Sequence, residues 1–321
     1  MMMAIQLWAS ACSDKGCVRQ NNEDSFCLNG FHLERQDMDK GGLFKCHVVP
    51  NTLFAVCDGM GGEEAGEEAS LLSVKLCGEF LKTPEKWNDE SSIKSFLHNG
   101  CQSVYDQARK RGNRSGATIA MTLMGKSGIR IANMGDSRIY RLHRGKMTQL
   151  SYDHTEMHKL LLQGKIRPED IPKHPKRHMI NQYWGMPLER APFTPYVSDV
   201  IPYVPGDRYL LCSDGLTDML ADEQIEELLS AKEPVERISE RLVSQAKRNG
   251  GRDNVTVIVV EVVQAAESSR APAPDKSANG VTVEIKKLKG KRLRTKVLMA
   301  LMLVAQLYTL LEIVDLLLLV K

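Results

Sequence analysis

The 321-residue chain has no C-x-x-C pair among its eight cysteines and no His-Glu-x-x-His run among its eight histidines. Those absences argue against a structural zinc cluster and against a zinc hydrolase. Two histidine pairs stand four residues apart, His154 with His158 and His174 with His178. Pro172 and Pro175 break the helix that would align the second pair. The cysteines read as reduced thiols, with Cys57 and Cys212 inside apolar runs where they pack as small hydrophobes. No basic segment precedes the mildly apolar residues 1–12. A first strand over residues 4–12 is therefore a better reading than a signal peptide or a lipid-anchored Cys12. A dispersed charge excess is missing as well. The net charge is +3, yet residues 286–296 carry seven positive and no negative charges, so the remainder stands at −4. That balance excludes a nucleic-acid-binding core and assigns the basic character to a local contact with an anionic surface.

What is present is ordinary in bulk, with 42% hydrophobic and 26% charged residues, and unusual in one stretch. Residues 54–66 read Phe-Ala-Val-Cys-Asp-Gly-Met-Gly-Gly-Glu-Glu-Ala-Gly. A buried strand over 53–57 ends in Asp58, three glycines follow within four residues, and a helical pattern of Ala65, Ala69, Leu72 and Leu76 comes next. Glycine permits a sharp turn and a close ligand approach. A carboxylate at such a turn, with the Gly59 carbonyl beside it, can hold a hard cation, although a plain turn would look the same.

The same design recurs along the chain. The polar cluster of residues 19–25 places Glu23 next to Asp24, and on an extended backbone only one of them faces a site. Arg19 lies four residues before Glu23, and a guanidinium matches two phosphate oxygens at once; a solvated loop with an incidental charge pair is the other reading. Residues 29–46 suggest a hairpin or variable loop. Helices are expected over about 63–81, 92–111, 156–163 and 234–248, with another beginning near Asp222. Half-buried antiparallel strands are expected around Ile129, Ile131 and Ile139. Asp136 lies in the turn Gly-Asp-Ser of residues 135–137, Asp214 ends a strand over 209–212, and Asp253 opens the last strand. Residues 151–195, rich in proline and histidine, are too long for a simple connection and read as an excursion over the surface near the site.

Four aspartates, Asp58, Asp136, Asp214 and Asp253, thus stand at strand ends with glycine within three residues, accompanied by Glu23. Like charges converge only where cations neutralise them, and a set made only of oxygen donors favours Mg²⁺ or Mn²⁺. The runs Arg19…Asn22-Glu23-Asp24, Val56-Cys57-Asp58-Gly59-Met60-Gly61-Gly62, Ser115-Gly116-Ala117-Thr118, Asn133-Met134-Gly135-Asp136-Ser137-Arg138, Cys212-Ser213-Asp214-Gly215-Leu216 and Arg252-Asp253-Asn254-Val255-Thr256 occur in that order. Together they resemble the metal-dependent protein serine/threonine phosphatases of type 2C (the PPM family), and the bacterial branch in particular, across residues 4–263.

That resemblance implies an α+β fold of two packed antiparallel β-sheets flanked by helices, an αββα sandwich, with a phosphatase domain over residues 1–263. It implies hydrolysis of phosphoserine and phosphothreonine on proteins by a water activated between two Mn²⁺ or Mg²⁺ ions, in opposition to a serine/threonine kinase. Asp58 would bridge both ions, the Gly59 carbonyl would bind one, Asp214 and Asp253 would ligate the first, and Glu23 would bind the second or order its water. Asp136 would share a weaker third ion, and Arg19 would hold the substrate phosphate. Residues 151–195 match the family's flap. Animal members have a histidine, credited with protonating the leaving alcohol, where this chain has Met60. Methionine cannot donate a proton, so a water near Asp136 is the expected source. The contrasting readings are a pseudophosphatase that binds phosphoproteins without cleaving them, and a membrane scaffold regulated by its folded part.

Beyond the resemblance, residues 264–285 are rich in Ala, Ser and Pro and read as a disordered linker. The basic run 286–296 leads into the apolar residues 297–320, whose 24 positions would span about 36 Å as a helix against a bilayer core of roughly 30 Å. Glu312 and Asp315 count against a span, and a surface-lying or self-associating helix is the alternative. The expected arrangement is a single tail anchor, with the basic run and the catalytic domain on the cytoplasmic side.

Overall fold

The computed structural model describes residues 5–61, 65–189, 192–264 and 281–284. In chain order these form β1 (Ile5–Asp14), β2 (Asp24–Leu28), β3 (Gly42–Val48), β4 (Thr52–Met60), α1 (Ala65–Phe80), α2 (Glu90–Lys110), β5 (Gly116–Ala117), β6 (Ile119–Gly125), β7 (Gly128–Met134) and β8 (Arg138–His143). There follow β9 (Lys146–Gln149), α3 (Glu156–Leu162), β10 (Tyr196–Val197), β11 (Arg208–Cys212), α4 (Asp214–Thr217), α5 (Asp222–Leu229), α6 (Val235–Arg248), β12 (Val255–Gln264) and β13 (Val281–Glu284).

The strands build two antiparallel sheets, β13-β3-β1-β12-β11-β8-β9 and β10-β7-β6-β4-β2, with β5 paired to β4. Strand periodicity explains the layering. Along β4, Phe54 and Val56 point into a core shared with Leu7 and Ala9 of β1 and Ile258 and Val260 of β12, between the sheets. The alternate residues Leu53, Ala55 and Cys57 pack with Val74 and Cys77 of α1 and with Ile93, Leu97 and Val104 of α2. Both faces of β4 are buried, which is why its sequence runs apolar without alternation. On the far side α6 buries Ile238, Leu242, Val243 and Ala246, and its Ser239 hydroxyl donates to the Ser10 carbonyl of β1 at 3.2 Å. The order is helix, sheet, sheet, helix, as the αββα expectation has it.

The expected linker over residues 264–285 is corrected in part: Val281–Glu284 pairs antiparallel with the edge strand β3, Val281 opposite Cys46. Two valines and a threonine favour an extended backbone, and β3 offers an open edge. The chain divides into the units Met1–Ile285 and Lys286–Lys321. The second unit, with the basic run 286–296 and the apolar helix expected at 297–320, lies outside the described residues. Among the described residues no helix is long and apolar enough to cross a membrane.

The excursion over 151–195 is a flap with a closed stem. Thr155 bridges Ile180, the Asn181 N–H donates to the His154 carbonyl at 2.9 Å, and the Glu156 N–H donates to the Met179 carbonyl at 2.9 Å. Its return limb is pinned at Trp184, whose backbone exchanges hydrogen bonds of 2.9 and 2.8 Å with Ala117. The indole is fully buried against Phe96, and a Cβ at Gly100 would lie 2.4 Å from the ring. Trp184→Ala should therefore cost about 3–5 kcal/mol, the range for emptying a large aromatic site. Denaturant unfolding of the full chain checks this, and a loss below 1 kcal/mol would contradict it.

Candidate metal centre

Asp58 lies within β4 rather than just past it, because the strand continues to Met60 and pairs with β5. Its backbone is clamped: the Asp58 N–H donates to Thr118 Oγ1 at 2.9 Å, and the Thr118 N–H donates to the Asp58 carbonyl at 2.9 Å. Thr118 Oγ1 in turn lies 2.7 Å from Ser137 Oγ, next to Asp136. Gly59 is required by space. A Cβ there would lie 2.2 Å from the Gly66 carbonyl oxygen at the start of α1 and 2.6 Å from the Glu23 carbonyl oxygen. These close approaches bring the Glu23 loop, the end of β4 and the first turn of α1 into contact.

The register between β2 and β4 sets Asp24 opposite Asp58 and sends the two neighbouring acids different ways. Asp24 is buried and accepts a hydrogen bond from Ser213 Oγ at 2.7 Å, while Glu23 lines the open cleft. Asn254 holds that loop in place. Its side chain accepts from the Glu23 N–H at 2.8 Å and donates to the carbonyls of Lys15 and Asn21 at 3.0 and 2.9 Å. Asp214 opens α4, Asp253 precedes β12, and Asp136 sits in the turn between β7 and β8. Glu23, Asp58, Gly59, Asp136, Asp214 and Asp253 all line one cleft of about 1950 Å³, together with Arg19.

The electrostatics show what this gathering costs. Burial, then Asp24, Asp214, Asp136 and Asp253, push the Asp58 carboxyl well above the usual carboxylate range. Burial followed by Asp214 and Asp153 raises Asp136 to about 8, and burial followed by Asp218 and Asp253 raises Asp214 to about 6. Burial and Glu67 raise Glu23 to about 7. Buried acids without compensating cations hold on to their protons. The donor set is oxygen throughout, and the mutual repulsion of Asp58 and Asp214 is what a divalent ion between them would relieve. One buried oxygen of Asp24 has no partner. The residues therefore fit hard divalent cations.

Not every expected group stands in the expected relation. Arg19 donates to Asp253 Oδ2 at 2.7 Å, so the anticipated phosphate ligand is paired with an anticipated metal ligand. His154 is no metal donor. It is buried, and its ring nitrogens lie 3.3 and 3.1 Å from the carbonyls of Gly135 and Thr194. The sequence reading missed Glu67, which is fully buried at the cleft wall. It accepts from Arg35 Nη2 at 2.6 Å and Asn21 Nδ2 at 2.7 Å, tying the Glu23 loop to α1. Helical phase was the available signal: Glu67 falls with Ala65, Ala69 and Ser70 among the buried positions, whereas Glu68 turns outward to Arg111. Asp153, too, went unassigned. It receives a forked pair of bonds from Arg138 at 2.9 and 2.6 Å, which fixes the start of the flap beside Asp136.

A sequence profile of the protein phosphatase 2C family matches residues 35–256. The serine/threonine phosphatase stp of Listeria innocua is 33% identical over 257 residues, which is 78% of this chain and 93% of that protein. The crystal structure of the Mycobacterium tuberculosis serine/threonine phosphatase PstP/Ppp superposes with a TM-score of 0.68 at 31% identity, covering 81% of this chain and all of the other. The catalytic domain of PstP in complex with two manganese ions is likewise similar, with a TM-score of 0.63 at 31% identity over 81% of this chain and all of that one. With two thirds of its length matched by the profile, and with these relatives covered almost end to end, the chain belongs to the protein phosphatase 2C family of serine/threonine protein phosphatases, in its bacterial branch.

Proposed function

We propose that the chain hydrolyses phosphoserine and phosphothreonine on proteins with two Mn²⁺ or Mg²⁺ ions. The observation that carries this is the convergence of five acids and the Gly59 carbonyl in one open cleft beside Arg19. Asp58 would bridge the two ions, Gly59, Asp214 and Asp253 would complete the set, and Glu23 would serve the second. The ions, when bound, supply positive charge to the phosphoryl oxygens and a water of lowered pKa. Thr118 keeps the Asp58 carboxylate aimed, and Asn254 keeps Glu23 over the cleft. Arg19 exchanges Asp253 for substrate phosphate. Its side chain is 49% exposed, and a pair of this kind is worth about 0–1 kcal/mol, so the exchange costs little.

Met60 lines the cleft and has no proton to give. Leaving-group protonation then depends on Asp136, which would also hold a weaker third ion. Asp136→Ala should slow alkyl phosphates about 10²–10⁴-fold, the worth of general-acid help, and aryl phosphates far less. Equal slowing of both rejects the assignment.

The tail supports a further reading. The basic run 286–296 followed by the apolar residues 297–320 is the pattern of a cytoplasmic domain anchored by its C-terminus, and a serine/threonine kinase acting on the same proteins would be the activity it opposes. Carbonate extraction of membranes decides this part: release of the full chain into the soluble fraction means no span.

The enzymatic reading is tested by Mn²⁺-dependent release of phosphate from a phosphothreonine peptide. A pseudophosphatase or a scaffold would bind the same peptide and leave it intact.

A further inference from the structure

The end of α2 and the loop after it read Arg109-Lys110-Arg111-Gly112-Asn113-Arg114, four positive charges in six positions with no acid among them. The chain outside residues 286–296 is negative overall, so the concentration runs against its background. All four basic residues are exposed. Cations at a helix C-terminus are favoured by the helix dipole, which accounts for Arg109 and Lys110. The dipole does not account for Arg114, which lies beyond the helix and two residues before β5. Among the described residues Arg111 pairs with Glu68 of α1, while Arg109, Lys110 and Arg114 have no ion pair.

The loop is held in one shape at the lip of the cleft. The Gly112 N–H donates to the Arg109 carbonyl at 3.1 Å and the Asn113 N–H to the Ala108 carbonyl at 3.0 Å, a Schellman closure with Gly112 at a φ of 72°. Ser115 Oγ then donates to Asn113 Oδ1 at 3.1 Å. Gly116 of β5 pairs with Met60 of β4, and Met60 and Gly61 line the cleft. A Cβ on Gly61 would lie 3.0 Å from the Ser115 Cβ. On the other side the return limb of the flap packs over β5, where a Cβ on Gly116 would lie 2.5 Å from the Tyr183 ring. Paired strands stand about 4.8 Å apart and a strand rises about 3.3 Å per residue, so the Arg114 backbone lies roughly 8 Å from the Met60 lip. A polypeptide leaving the cleft across that lip passes the basic loop within a few residues.

We propose that Arg109, Lys110 and Arg114 form an exosite for acidic side chains of the protein substrate, about three to six residues from the phosphorylated one, given the same rise per residue. This exosite rests on the phosphatase reading above, to which it adds a sequence preference. Cations in the cleft would recognise the phosphoryl group on any protein, so choice among phosphoproteins needs contacts away from it. Charges on a rim supply such choice through complementarity and long-range attraction.

The experiment compares three phosphothreonine peptides: one with glutamates on the N-terminal side, one with glutamates on the C-terminal side, and one with serines on both. The protein is the full Mn²⁺-loaded chain, as wild type and as the triple variant Arg109→Ala, Lys110→Ala, Arg114→Ala, which leaves Arg111 on Glu68. In the wild type one acidic peptide should exceed the serine peptide in kcat/KM by at least about threefold, the low end for three exposed ion pairs. The gain should lie in KM rather than kcat and shrink at high salt. The triple variant should lose the gain and keep the wild-type rate on the serine peptide. Reversal of charge in Lys110→Glu with Arg114→Glu should move the preference to a lysine-flanked peptide. No preference in the wild type overturns the proposal, as does a preference that the triple variant retains. Equal losses on acidic and serine peptides make the three residues structural and also overturn it. A triple variant that sediments less than wild type with phosphatidylserine vesicles, yet matches it on every peptide, assigns the loop to a lipid surface instead. If no form releases phosphate, the phosphatase reading fails, while fluorescence anisotropy of the same peptides on wild type and triple variant still decides the exosite.

Discussion

Asp58→Ala should lower phosphothreonine-peptide hydrolysis by about 10³–10⁵-fold, because a bridging carboxylate organises charge stabilisation worth several kcal/mol and each 1.4 kcal/mol is a decade in rate. Calorimetry should show that manganese uptake fails in the same variant. The fold should not suffer, and the sign of the stability change is informative. Asp58 is the acid on which the fields of Asp24, Asp214, Asp136 and Asp253 converge. Removing it relieves repulsion, so the metal-free variant should melt at or above the temperature of the metal-free wild type, while losing the stabilisation that Mn²⁺ confers. Activity within tenfold of wild type would sink the assignment of Asp58. A variant that is inactive only because it has unfolded would show a lowered melting temperature.

The metal-free protein should lose stability as pH rises from about 5 to about 8. The acids of the cleft have folded values raised to about 6 for Asp214, about 7 for Glu23 and about 8 for Asp136. In the unfolded chain they titrate near 4. Between those limits the folded state binds more protons than the unfolded one, and stability falls with pH wherever that holds. Below about pH 4 both states are protonated and the effect disappears. The drop should reach roughly 5 °C or more, given that 1 kcal/mol moves the midpoint of a domain this size by about 2–4 °C. Saturating Mn²⁺ replaces the retained protons and binds only the folded state, so its stabilisation should be larger at pH 8 than at pH 5.5. Melting curves at those two pH values, with and without Mn²⁺, provide the check. A metal-free midpoint that rises toward pH 8, or a manganese shift larger at pH 5.5, would show that the acids are not electrostatically coupled as the geometry implies.

Much of this was legible in one dimension. The acids before glycines mark the cleft because a tight turn and a carboxylate are both local properties, and Gly59 and Asp58 are adjacent in the chain. Individual strands and helices were legible because their side-chain periods differ, and the stacking of two sheets was legible only through the resemblance that the six motif runs carry. Glu67 was harder. Helical phase marks it as inward, but its partners Arg35 and Asn21 arrive from another loop, which phase does not reveal.

The sequence by itself determined the fold class, through motif runs that resemble a known family, together with the excursion over 151–195 and the acids that line the cleft, since motif spacing, proline, glycine and charge are properties of neighbouring residues. The tertiary structure alone decided that Glu23 faces the cleft while Asp24 is buried on Ser213, that Arg19 rests on Asp253, that residues 281–284 return to the edge of β3, and that His178 meets Asp218. Each of these joins residues from separate elements. Such contacts are fixed by strand register and by packing across the whole sandwich, for which a local stretch of chain carries no code.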